Sequence, residues 1–244
     1  MAGSLSNGFP ARVYCIARSR HPTGHMPRKR SVAAAAAPDT RERIADAALA
    51  LFNADGVPSV STRHIAARLA ISPGNLYYHF ANKEEIVLCL YGRIEAQLDG
   101  LLALPPGRPP SFDEVLGFLD AIFAHLREFR FFYRDINPLL REVPGLKERY
   151  RGLSGRVLRS ARAVFASMVE QGWMEASEEQ LDLLATNAWI VLTQWFTHRQ
   201  VVERRRTIQP ADIREGIRHL VALFSPMLRA PERRQVQRLV ARWG

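Results

Sequence analysis

The residues with most chemical potential lie in one short stretch, Ser72-Pro73-Gly74-Asn75-Leu76-Tyr77-Tyr78-His79-Phe80. Serine followed by proline is a helix cap plus a first-turn residue. Gly74 and Asn75 therefore stand at a helix N-terminus, where free backbone N–H groups favour an anion. Asn75 carries an amide that can pair with a base edge, and Tyr78 and His79 carry groups suited to phosphate oxygens. That chemistry is recognition of a nucleic acid rather than bond making. The sequence has no GxSxG, no P-loop, no GxGxxG after a strand and no clustered acid pair, so it does not read as an enzyme. HExxH spacing is absent, and Cys15 and Cys89 stand far apart outside any CxxC pair. No metal site, disulfide framework or cofactor is expected.

These groups need a scaffold. Residues 61–80 read as a short helix, a tight turn and a second short helix, a helix-turn-helix. Ser61 or Thr62 opens the first helix and Ser72 caps the second. Ile65, Leu69, Ile71 and Leu76 would bury against a preceding helix whose apolar stripe is Ile44, Ala47, Ala48, Leu51 and Phe52. Asp39 with Glu42 spells a capping box at its start, and Gly56 is a natural stop. Pro73, Gly74, Asn75, Tyr78 and His79 then face outward. Tyr77 is spaced from Phe80 so that it could face inward, and His64 reads as an ordinary exposed helix residue. Lys83, at the start of the next helix, is either a solvated charge or a second phosphate contact.

Downstream, Asn82 with Glu85 opens a longer helix that ends near Pro105, and the Pro105–Pro110 run is a linker or tight loop. Ser111 with Glu114 and Ser177 with Gln180 begin further helices. Pro210 suits the first turn of the last long one, and a short tail helix is expected at 232–243. Strand-like alternation is absent. The expected fold class is all-α, with an N-terminal three-helix helix-turn-helix domain and a C-terminal helical bundle. The expected divisions are a disordered basic arm at 1–37, a DNA-binding domain at 38–82 and a ligand-binding and dimerisation domain at 83–244.

The composition agrees with a globular chain: 244 residues, 47% hydrophobic and 24% charged, enough to bury a core. No apolar run reaches the roughly 18 residues that a membrane-spanning helix requires. The N-terminus lacks a secretory apolar region, and the sparse cysteines suit a reducing compartment, so a cytoplasmic location is expected. Residues 1–38 carry six of the basic side chains and no acid, whereas 39–93 are balanced. A basic arm suggests a polyanion partner, which leaves a non-specific nucleic-acid-binding protein as a rival reading. An all-α enzyme of unrecognised type is the other.

From Thr40 through Phe80 and Lys83, and above all in Ser72-Pro73-Gly74-Asn75-Leu76-Tyr77-Tyr78-His79-Phe80-Ala81-Asn82-Lys83-Glu84-Glu85, the chain resembles the DNA-binding domain of the tetracycline-repressor (TetR) family. The resemblance covers about a fifth of the chain. It implies base or backbone contacts from Gly74 and Asn75 and phosphate contacts from Thr62, Ser72, Tyr77, Tyr78, His79 and Lys83, to which Arg63 and Pro73 are added as candidates. One departure is Ala70, where many members place glycine in the turn. The resemblance further implies a homodimeric regulator of transcription, a repressor bound to a palindromic double-stranded operator and released by a small-molecule effector.

Beyond residue 95 the readings rest on helical spacing. Leu181, Leu184, Ala188, Val191 and Leu192 mark one stripe, and Ile213, Ile217, Leu220, Val221 and Phe224 another; together they are the expected dimer seam. Phe129 to Tyr133 packs four aromatics into five positions, more than one helix face can bury. Phe118, Ile122, His125, Phe132, Phe165, Met168, Trp189 and Thr193 are the expected pocket for a largely apolar effector, with plain bundle core as the competing reading.

Overall fold

The computed structural model describes residues 39–101, 103, 108–203 and 208–242. The arm at 1–37, Cys15 and Pro105–Gly107 lie outside the described residues. Among those described, the chain forms eleven α-helices and no strand. A three-helix head comprises α1 (Thr40–Asp55), α2 (Thr62–Leu69) and α3 (Pro73–His79). The body comprises α4 (Lys83–Leu101), α5 (Phe112–Glu128), α6 (Arg130–Arg134), α7 (Ile136–Glu142), α8 (Leu146–Glu170), α9 (Glu178–Glu203), α10 (Pro210–Phe224) and α11 (Ala230–Arg242).

Local chemistry sets most of the helix starts. Ser111 Oγ accepts from Glu114 N while Glu114 returns a carboxylate to Ser111 N, and Ser177 and Gln180 do the same. Asn82 caps α4 by accepting from Glu85 N at 2.9 Å, but Glu85 reaches Ala81 N instead of closing the box on Asn82. The box expected from Asp39 and Glu42 does not form: Asp39 flanks α1 without a side-chain cap bond.

In the head, Ile44, Ala45, Ala48 and Phe52 of α1 are buried against Ile65 and Leu76, with Leu69 and Ile71 half-buried at the edge. The aromatic run resolves its own crowding by breaking the helix. The chain kinks at Phe129 and again at Asp135, so α6 is only five residues long, and Phe129, Phe131, Phe132 and Tyr133 are all buried.

The head is clamped to the body at the end of α1. Asn53 donates to Glu128 O at 2.8 Å and accepts from Phe131 N at 3.0 Å. Arg134 donates to Phe52 O at 2.7 Å, and Asp135 accepts from Val57 N at 3.0 Å. Gly56 permits this approach: its φ is 88°, and an added Cβ would lie 3.1 Å from Arg134 Nη2.

Candidate nucleic-acid interface

α2 begins at Ser61, whose hydroxyl accepts from His64 N at 3.3 Å while His64 Nδ1 accepts from Ser61 N at 3.3 Å. His64 is thus the N3 half of a capping box rather than an idle surface group. Its imidazole replaces the usual Glu or Gln, which is why the sequence pattern did not reveal it. α2 closes on Ala70, at φ 54° and ψ 39°, the sole non-glycine with positive φ among the described residues. Ala70 N donates to Ala67 O and Ile71 N to Ala66 O, both at 3.1 Å. The alanine therefore adopts the left-handed turn at a steric cost that glycine would avoid. Ser72 then caps α3 by accepting from Asn75 N at 3.1 Å.

Only Leu76 of α3 is buried. Pro73, Gly74, Asn75 and Tyr77 are exposed, Tyr78 is 86% exposed, and His79 is half-buried with its ring edge-on to Tyr78 at 5.1 Å. Tyr77 faces outward, and its hydroxyl lies 3.2 Å from that of Thr62, so α2 and α3 share a polar rim. Arg63 is exposed beside it. His79 is held through its carbonyl, which accepts from Arg41, whose guanidinium also covers the Phe80 ring at 4.1 Å. Lys83 differs from the rest. Its ammonium donates to Val57 O at 2.9 Å and so ties α4 to the head, a structural role alongside any phosphate contact. The surface is a ridge of outward, hydrogen-bonding side chains, which suits a groove and its phosphates.

The eight expected pocket residues lie in the helical body. His125, Phe132, Phe165, Met168 and Thr193 are buried, while Phe118, Ile122 and Trp189 are half-buried against the same core. Ring contacts run from Tyr91 to Phe132, on to Tyr150 and Trp189, and from Tyr133 to His125 and Phe196. The void beside this core is about 10 Å³, water-sized at most, and none of the eight lines it. Here these rings pack against one another, since aromatic side chains at helical spacing fill an interior as readily as they wall a cavity.

That core has polar joints. His125 meets Gln97 Oε1 through Nδ1 and the Tyr133 hydroxyl through Nε2, the latter at 2.5 Å. Gln97 Oε1 only accepts, so Nδ1 carries the proton and Nε2 accepts from Tyr133. Burial pushes the imidazole down to about 3 and the Tyr133 phenol well up, so both are neutral. The Tyr91 hydroxyl is buried with no hydrogen-bond partner among the described residues.

The residues of the expected dimer seam are mostly covered within the chain itself. Leu181, Leu184, Leu192, Ile213, Ile217, Leu220, Val221 and Phe224 are buried inside a single chain, and Ala188 and Val191 are half-buried there. Periodicity reveals an apolar stripe but not which body covers it; here α9 and α10 cover one another, with α8 and α5 at their backs. Gly216 permits the closest approach, since an added Cβ would sit 2.6 Å from Trp195 Cδ1. The large apolar groups of α9 left in solvent are Leu183, Ile190, Val201 and Val202. Helical periodicity alone did not single these out.

A model described as bacterial regulatory proteins of the tetR family matches residues 44–90, and a second, the TetR bacterial transcriptional repressor model, matches residues 93–236. The chain is similar to the HTH-type transcriptional regulator TtgW of Pseudomonas putida, 44% identical over 92 residues, which are 37% of this chain and 69% of that protein. It is also similar to the HTH-type transcriptional regulator SrpR of the same species, 43% identical over 92 residues, 37% of this chain and 43% of that one. Among solved structures, a TetR-family transcriptional regulator from Marinobacter aquaeolei aligns with a TM-score of 0.74 at 32% identity, covering 84% of this chain and 99% of that one.

Proposed function

The chain belongs to the TetR family of bacterial transcriptional regulators and is a DNA-binding regulator rather than an enzyme; from that premise we propose that it is a homodimeric repressor. In this reading residues 38–82 are the reading head and 83–244 the effector and dimerisation body. Two heads enter successive major grooves of a palindromic operator, about 34–36 Å apart. Thr62, Arg63, Ser72, Pro73, Gly74, Asn75, Tyr77, Tyr78 and His79 meet the DNA, and Lys83 contributes from its place on Val57 O. The observation that carries this is the outward ridge of α3, where Asn75 and Tyr78 stand in solvent with no structural task. A cytoplasmic location follows from that task. Among the described residues, no helix is long and apolar enough to cross a membrane.

The dimer in this proposal uses the exposed side of α9, through Leu183 and Ile190, because the inner stripes are already covered. The effector is a small, largely apolar molecule that opens the aromatic core around Phe132 and Trp189. Support comes from the unpartnered Tyr91 hydroxyl, a buried donor whose desolvation costs roughly 1–3 kcal/mol until an acceptor meets it. Opening the core would act on the head through the α1–α6 clamp and release DNA by differential affinity. The test is operator titration by fluorescence anisotropy. Asn75→Ala and Tyr78→Phe should each weaken binding by about 1–3 kcal/mol with unchanged melting. Unchanged affinity for both variants would refute the interface.

A further inference from the structure

α11 (Ala230–Arg242) lies against α5 and presents two dissimilar sides. Val236 and Leu239 are buried toward α5, whereas the rest of the helix is strongly basic, four arginines against a single glutamate. Arg233 is engaged structurally: it donates to the carbonyls of Ser225, Pro226 and Leu228 at 3.1, 3.0 and 2.6 Å and fixes the turn that precedes the helix. Arg238 and Arg242 have no such anchoring. Arg238 donates to the carbonyl of Arg234 in its own helix, at 3.3 Å, and has no carboxylate partner among the described residues. Arg242 stands 3.9 Å from Asp120, at the long limit of an ion pair.

These two guanidinium groups border an open-sided groove of about 370 Å³ lined by Leu116 of α5 and by Gln235, Arg238, Leu239 and Arg242 of α11. The lining combines half-buried Leu116 and the small uncovered edge of Leu239 with a donor pair at one end. A carboxylate suits that end, because guanidinium groups bind it through paired N–H donors. The leucines favour an alkyl chain that leaves water with it. A polyphosphate would gain nothing from the leucines, and an uncharged hydrocarbon would gain nothing from the arginines.

We propose that the α5–α11 groove binds a monomeric anionic amphiphile of the fatty-acid type, with its carboxylate held by Arg238 and Arg242 and its chain laid along Leu116, past the uncovered edge of Leu239. The site lies outside the aromatic core assigned to the effector and does not depend on that assignment. Asp120 partly offsets the positive edge, so the carboxylate competes with it for Arg242.

Isothermal titration of the full chain with decanoate, decanol and acetate tests the proposal. Decanoate should saturate one site per chain, with decanol and acetate each at least tenfold weaker, since each supplies half of the chemistry. Arg238→Gln combined with Arg242→Gln should weaken decanoate binding at least tenfold, with unchanged melting because both side chains are exposed. Absence of saturable decanoate binding would overturn the proposal. So would equal affinity in the double variant, which would place the ligand elsewhere, or binding to phosphatidylglycerol vesicles without binding to monomeric decanoate.

Discussion

Replacing Arg134 by leucine removes a cation from the joint between head and body, and the structure contains its own control. Arg134 pairs with Asp135 at 3.1 Å, with side chains 4% and 13% exposed; Arg141 pairs with Glu142 at 2.9 Å, with side chains 71% and 66% exposed. Both are neighbouring Arg–acid pairs, and distance alone would rank the second as stronger. Burial reverses that order. Without Arg134, Asp135 keeps a nearly buried charge and Phe52 O keeps only its bond from Gly56 N, a loss of about 3–5 kcal/mol when one partner of a buried pair is deleted. Without Arg141, an exposed pair in water loses about 0–1 kcal/mol. At roughly 2–4 °C per kcal/mol for a chain of this size, Arg134→Leu should lower Tm by about 6–20 °C. By the same conversion, Arg141→Leu should lower it by no more than about 4 °C. Adding Asp135→Asn to Arg134→Leu should recover part of the loss, because an amide still accepts from Val57 N without needing a counter-ion. Scanning calorimetry of the four proteins measures this. Equal shifts for Arg134→Leu and Arg141→Leu would refute the argument that burial, not distance, sets the strength of the clamp.

Three further outcomes are expected. His125 sits at about 3 against an ordinary 6.5, so below pH 6.5 the unfolded chain takes up a proton that the native chain refuses. Its contribution to stability is complete above pH 6.5 and declines toward pH 3, by about 2 kcal/mol between pH 7 and pH 5; urea melts at both values should show a smaller difference in His125→Gln, and an equal one would count against a neutral buried imidazole. Ala70→Gly relieves a left-handed alanine and should stabilise the chain by roughly 0.5–1 kcal/mol after the entropy of glycine is charged; a lower Tm would contradict the strain. Leu183→Glu combined with Ile190→Glu should yield a well-folded monomer with weaker operator binding in sedimentation and anisotropy experiments; a persistent dimer would move the interface elsewhere.

Local rules carried the sequence reading a long way. The helix starts at Ser61, Ser72, Asn82, Ser111, Ser177 and Pro210 depend on a cap and three or four following residues, so they are visible without knowledge of any distant neighbour. The ridge of α3 was legible for the same reason, because a seven-residue helix with Leu76 as its buried anchor must turn Asn75 and Tyr78 away. His64 escaped because an imidazole can stand in for a carboxylate in a capping box, a substitution of geometry that residue type conceals.

What depended on tertiary structure was the partner of each apolar surface. The stripes of α9 and α10 bury each other within the chain, and spacing along one helix cannot say what lies across it. The same holds for Phe132, His125 and Trp189: whether rings wall a cavity or fill it depends on how closely other helices approach, which is a property of the packed body. Arg134 makes the point most sharply. It follows three consecutive aromatics, and the break at α6 turns it inward onto Phe52 O, 82 residues away in the chain, a contact that no local spacing encodes. Sequence determined where the helices begin and which face of the head is polar, because those follow from interactions a few residues apart. Only the folded chain decided which faces are already covered, because burial is set by contacts between residues that the sequence keeps far apart.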